Sequence, residues 1–127
     1  MFDEVPLELR TFMAEHIGSI AQLELLILLA SDTKKLWTAE EAAKALYTAA
    51  DMTYGLLEAM RVRGLLEAET GSERYRFAPK KPEWEMLVRD LDRLYKERRL
   101  TVINLIYAGP VEKLQSFANA FRFRRGK

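Results

Sequence analysis

The chain holds one histidine and no cysteine, which restricts its chemistry at once. Without thiols there is no disulfide framework, no thiolate metal site and no sulfur nucleophile. With His16 alone, a histidine metal cluster is excluded and a Ser-His-Asp triad has one candidate centre. His16 follows Glu15 in a short helical pattern, where a partly exposed structural histidine is the expected reading. No GxGxxG or phosphate-loop motif is present. Glu40-Glu41 has the look of a charge pair at a helix start. Asp90 and Asp92, two apart on a helix, point in different directions and do not converge on one ligand. No catalytic residue, metal site or cofactor is therefore expected.

Chemistry of another kind is open to the cationic side chains. Arg74, Arg76, Lys80 and Lys81 fall close together, with Arg61 and Arg63 before them. Such groups neutralise phosphates and release counterions, the source of salt-dependent nucleic-acid binding. Strand alternation sets Arg74 and Arg76 on one face and Tyr75 and Phe77 on the other. Alternatively, Glu67, Glu69 and Glu73 balance these cations across an ordinary solvated face. A second basic run, Arg122, Arg124, Arg125 and Lys127, has no acid among it from Leu114 onward. It reads as a phosphate contact or as a solubilising end. Trp37 and Trp84 are expected to anchor a core or an interface, because the aromatics do not line up as a single-strand stacking platform requires.

The 127 residues suggest one domain. At that size folding buries roughly two-thirds of the unfolded surface, so no covalent or metal staple is needed. A 49% hydrophobic and 31% charged composition is ordinary for a globular chain. Net charge is only +1, so binding a polyanion would depend on uneven charge distribution. The start, Met1-Phe2-Asp3-Glu4-Val5, lacks the basic region and apolar core of a secretory signal. The strongest apolar stretch, Leu23 to Ala30, is interrupted by Glu24 and is far shorter than the ~20 residues of a membrane span. A cytoplasmic location without a membrane is expected.

Periodicity supplies the elements that must position the cations. Leu9, Phe12 and Met13 give a first helix over residues 6–16 one apolar face, and Gly18 breaks it. Ser19 with Gln22 opens a second helix, apolar on most sides through Ile20, Leu23, Leu26, Ile27 and Ala30. A polar turn and a short extended Leu36-Trp37 lead to Thr38 and Glu41, a second capping box. Ala39, Ala42, Ala43 and Leu46 line that third helix. After a turn, Asp51 suits the positive end of a fourth helix, with Thr53, Leu56, Leu57 and Met60 inward and Gly64 as the stop. Residues 65–69 and 74–77 read as strands joined by a Gly-containing hairpin loop. A long helix is expected over residues 83–107, stopped by Gly109-Pro110, and a final one over residues 111–123.

From Ser19 to Phe77 the order is helix, short strand, helix, turn, helix, strand, loop, strand. Residues 36–46 (Leu-Trp-Thr-Ala-Glu-Glu-Ala-Ala-Lys-Ala-Leu) resemble the second helix of bacterial winged helix-turn-helix regulators such as the MarR family. Residues 57–66 resemble the end of their recognition helix running into the wing. The resemblance implies a mainly α fold with a small β-wing, a winged-helix unit over residues 1–82 and a C-terminal helical dimerisation segment over residues 83–127. It also implies double-stranded DNA as partner, with contacts from Thr48, Met52, Tyr54, Arg61, Arg63, Arg74, Arg76 and Lys80. The chain departs from the family pattern at the outward positions Asp51, Met52, Tyr54, Gly55 and Glu58, which carry no Arg, Lys, Asn or Gln to donate to base edges. Leu91, Leu94, Ile103 and Ile106 are expected on a homodimer seam or, alternatively, in the chain's own core. The functional expectation is a dimeric transcriptional regulator. The alternative is a protein-interaction module on the same frame, docking a partner around Met52, Tyr54 and Glu58. An enzyme is not expected.

Overall fold

The structure, a computed structural model, describes residues 5–107. Helices α1 (Leu7–His16), α2 (Ile20–Ala30), α3 (Ala39–Leu46) and α4 (Ala50–Val62) precede strands β1 (Leu66–Ala68) and β2 (Tyr75–Phe77) and helix α5 (Pro82–Glu97). Residues 99–107 form a further helical stretch. The expected final helix over residues 111–123, the Gly109-Pro110 stop and the basic run from Arg122 to Lys127 lie outside the described residues.

Local chemistry starts the helices where the residue types allow it. Ser19 Oγ accepts the Gln22 N–H at 3.1 Å. Gln22 Oε1 reaches one residue beyond the cap and accepts from the Gly18 N–H at 2.8 Å. The box is therefore shifted by one residue from the expected reciprocal pair, because the amide side chain spans past Ser19. At α3 both bonds of the box form: Thr38 Oγ1 accepts from the Glu41 N–H at 3.1 Å and Glu41 Oε1 accepts from the Thr38 N–H at 3.0 Å. Gly64 follows α4 with φ +85, a conformation that side chains disfavour. Its N–H and that of Leu65 close back on the Arg61 and Met60 carbonyls.

The core is one continuous apolar cluster. Helix α2 lies at its centre, with Leu23, Leu26 and Leu29 fully buried, and touches α3, α4, α5 and β2. Small Ala39, Ala42 and Ala43 let α3 approach closely, and α4 turns Thr53, Leu57 and Met60 inward. Helix α1 packs on α5 through Leu9, Phe12 and Met13. The two wing strands pair antiparallel, Leu66 with Phe77, Glu67 with Arg76 and Ala68 with Tyr75. Trp37 pairs with the other edge of β2, exchanging both backbone bonds with Tyr75 at 2.7 and 2.8 Å. Tyr75 and Phe77 are buried while Arg76 faces out, as the alternation predicts.

The long C-terminal helix is not continuous. It breaks at Arg98, which adopts φ −135 and ψ 58. Residues 88, 91, 95, 98, 102 and 105 recur at helical spacing, and all but Arg98 are buried. A straight helix would carry that guanidinium into the core, at a large desolvation penalty. The break leaves Arg98 exposed and returns Val102, Leu105 and Ile106 to the interior.

Candidate nucleic-acid interface

The α3–α4 pair and the wing present one face built from the two elements' outward residues. On α4, Asp51, Met52, Tyr54 and Gly55 are exposed. Met52 and Tyr54 keep 46% and 42% of their surface, a substantial share for apolar side chains on a short helix. The turn before α4 adds Tyr47, a left-handed residue at φ 58 with its side chain 95% exposed. Thr48 is half-buried and its Oγ1 lies 2.9 Å from Thr53 Oγ1, which in turn donates to the Ala49 carbonyl. Thr48 thus fixes the α3–α4 turn through the buried Thr53 side chain.

Glu58 corrects one sequence expectation. It was expected to face outward, yet it is half-buried. Arg61 donates to both its oxygens at 3.1 and 3.0 Å, and the buried Tyr75 hydroxyl donates to Oε2. The Arg61 bonds, then the Tyr75 bond, hold the Glu58 carboxyl below the usual carboxylate range. Burial and the Glu58 bond push the Tyr75 phenol above its ordinary range. Tyr54 completes the group with its ring edge-on to Tyr75 at 6.5 Å. The stripe Tyr54, Glu58, Arg61 therefore leans on β2 and ties α4 to the wing. The i, i+3 spacing of Glu58 and Arg61 carried a local signal for half of this arrangement. Nothing in the spacing points to Tyr75.

The cations divide into two groups. Arg61 is paired with Glu58, and Arg76 with Glu67 across the wing at 2.9 Å. Arg74 is exposed beside them, toward the loop of the hairpin. Arg63 and Lys80 lie elsewhere. Arg63 caps α4, about 16 Å along the helix from Met52 at 1.5 Å per residue. Its Nη1 donates to the Glu15 carbonyl at the end of α1. The Lys80 N–H bonds the Gly64 carbonyl at 2.8 Å, at the base of the wing rather than its loop. The structure therefore gathers Thr48, Met52, Tyr54, Arg61, Arg74 and Arg76 around α4 and the wing, and sets Arg63 and Lys80 apart.

Of the seam expectations, Leu91 and Ile106 are 0% and 5% exposed within the chain itself, so no surface remains on them for a second copy. Leu94 and Ile103 are half-buried against the same core. The exposed apolar side chains of this region are Met86, Leu100 and Tyr107.

The described residues hold no group of three or more His, Asp or Glu that could bind a metal. Asp90 and Asp92 pair separately, with Arg93 and Lys96. No single helix among them is long and apolar enough to cross a membrane.

No protein-family model matches the chain, and no curated protein is a significant sequence match. Among solved structures it is similar to MepR, a transcription regulator of the Staphylococcus aureus multidrug efflux pump MepA. That alignment is 17% identical, covers 98% of this chain and 94% of MepR, and has a TM-score of 0.51. A point variant of S. aureus MepR gives 17% identity, 97% and 90% coverage and a TM-score of 0.52. A MarR family protein from Bacillus stearothermophilus aligns at 19% identity over 94% of this chain and 81% of that one, with a TM-score of 0.48. The MepR likenesses show the fold: a winged helix of the kind found in these regulators, as the order of elements predicted.

Proposed function

We propose that the chain is a winged-helix DNA-binding protein that acts as a transcriptional regulator in the form of a homodimer, with double-stranded DNA as its partner. One observation carries this reading: α4 exposes Asp51, Met52, Tyr54 and Gly55 of its first two turns, beside a wing whose outward side chains include Arg74 and Arg76. In a winged helix that is the edge a duplex meets. The pairing of Arg76 with Glu67 does not oppose it: that pair is exposed and worth about 0–1 kcal/mol, so a phosphate can displace the carboxylate. Arg61 keeps its two bonds to Glu58 and meets a phosphate through its remaining N–H groups. The contacts proposed for the duplex are Met52 on a thymine methyl, Tyr54 on phosphate or a base edge, and Arg61, Arg74 and Arg76 on phosphates. With few donors for base edges, binding is mainly electrostatic. Homodimerisation is supported by the exposed Leu100 and Tyr107 on residues 99–107 and by Met86 on α5.

A titration of nonspecific duplex at two salt concentrations, read by gel shift, tests the reading. Retention at low salt should fall steeply as salt rises. Changing both Arg74 and Arg76 to Ala should reduce the slope of log K against log salt by about 2 for each subunit that contacts the duplex, about 4 for the homodimer, at one phosphate per cation. Absence of retention at low salt would overturn the DNA reading. The exposed Tyr47, Met52 and Tyr54 would then be tested as a protein-docking face.

A further inference from the structure

A second cationic cluster sits at the other end of α4. The C-terminal end of α1, the α4 cap and the segment entering α5 meet there. Arg63 Nη1 reaches the Glu15 carbonyl at 2.5 Å. The Lys80 stem lies directly over Gly64, where an added Cβ would fall 2.5 Å from Lys80 Cδ. Lys81 Nζ stands 5.3 Å from the Trp84 ring centre. His16 packs between Trp84 at 4.8 Å and Phe12 at 5.0 Å, with Nδ1 buried and without a hydrogen-bond partner. Arg61, Arg76, Arg89, Arg93, Lys96 and Arg99 each hold a carboxylate within 4.0 Å. Among the described residues, Arg63, Lys80 and Lys81 form no such pair, a state they share with Arg10, Lys34, Lys35, Lys44 and Arg74.

We propose that Arg63, Lys80 and Lys81, gathered around His16, form a binding site for phosphate groups, separate from the α4–wing face. Three cations at one end of α4 without carboxylate partners create a local positive potential, and the Arg63 N–H groups not used on the Glu15 carbonyl are planar donors suited to an oxyanion. Phosphate is the ligand chemistry that answers both features, whether it arrives on a small molecule or in a nucleic-acid backbone.

His16 reports on this site because it is the only histidine in the chain and therefore gives a single imidazole signal. The groups that act on it are Glu15 on α1, Arg63 at the end of α4, and Lys80 and Lys81 before α5. Burial first, then Arg63, with smaller contributions from Lys81 and Lys80, holds its pKa below 6.5 against the opposing pull of Glu15. An anion bound to the three cations offsets their repulsion of the imidazolium. Proton and anion therefore favour each other's binding, and anion affinity rises as pH falls through the His16 pKa.

The test is a proton NMR titration of the His16 imidazole in the whole chain, with inorganic pyrophosphate, a short DNA duplex, or sodium chloride at matched ionic strength. Pyrophosphate should raise the His16 pKa toward 6.5 beyond the chloride control. Changing Lys80 and Lys81 to Gln should weaken that effect about three- to tenfold while leaving the backbone spectrum dispersed. A shift with pyrophosphate supports a site for free phosphate compounds. A shift with duplex alone supports the same site with backbone phosphate as ligand. The proposal is overturned if neither exceeds the chloride control, or if the Lys80→Gln, Lys81→Gln chain responds as strongly as the unaltered one.

Discussion

Replacing Tyr75 by Phe removes one oxygen and nothing else from the joint between α4 and the wing. The ring is 1% exposed, so its packing against Tyr54 and the core is retained. The change takes away the hydroxyl that donates to Glu58. Hydrogen bonds to charged acceptors contribute about 1.5–3 kcal/mol. The Glu58 side chain is 33% exposed and keeps Arg61, so the lower end applies, about 1.5 kcal/mol. For a chain of this size that lowers the melting temperature by about 6 °C. The pH dependence follows from the carboxyl. Its folded pKa lies below the reference of 4.5, so its contribution is present above pH 4.5 and is lost as pH falls through the folded value. Thermal melts followed by circular dichroism at neutral pH, near pH 5 and near pH 3.5 measure the gap between the two chains. It should hold from neutral pH to pH 5 and narrow below. A gap under about 1 °C at neutral pH, or one that does not narrow in acid, would refute the account of Glu58 as a charged acceptor.

Tyr47 occupies the left-handed region at the end of α3 with its side chain in solvent, so Tyr47→Gly should stabilise the chain by roughly 1 kcal/mol in urea unfolding. Gly64→Ala should destabilise more than Gly71→Ala. Both have positive φ, but an added methyl meets the Lys80 stem at Gly64 and open space at Gly71, and paired denaturation curves read the difference. The lowered His16 pKa means that its neutral form stabilises the fold above pH 6.5 and that this contribution is lost as pH falls through the folded value. His16→Phe keeps a ring between Phe12 and Trp84, so stability measured from pH 7 down to 5 should flatten relative to the unaltered chain.

What could be read from the residues was local. The Thr38–Glu41 box, the alternation of Tyr75, Arg76 and Phe77, and the inward face of α4 each depend on spacing within one element, and each stands in the structure as read. The missed features join residues far apart in the chain. Glu58 meets Tyr75 across 17 positions, and Arg63 meets the Glu15 carbonyl across 48. No periodicity encodes such pairs, because they depend on how finished elements dock. Leu91 and Ile106 show the same limit: an apolar stripe marks a face to be covered without saying which surface covers it. The break at Arg98 lay between the two cases. A charged residue in the series 88, 91, 95, 98, 102 and 105 was visible, but its effect depended on what those positions face.

That break also fixes what the last described turns contribute. Residues 99–107 make about 13 Å of helix, seated on the core by Val102, Leu105 and Ile106 at 0%, 8% and 5% exposure. A change of about 10° at Arg98 would carry the far end about 2 Å and lift Leu105 and Ile106 off their contacts, a cost a close-packed interior resists. The bend is therefore locked by its own packing and does not act as a hinge.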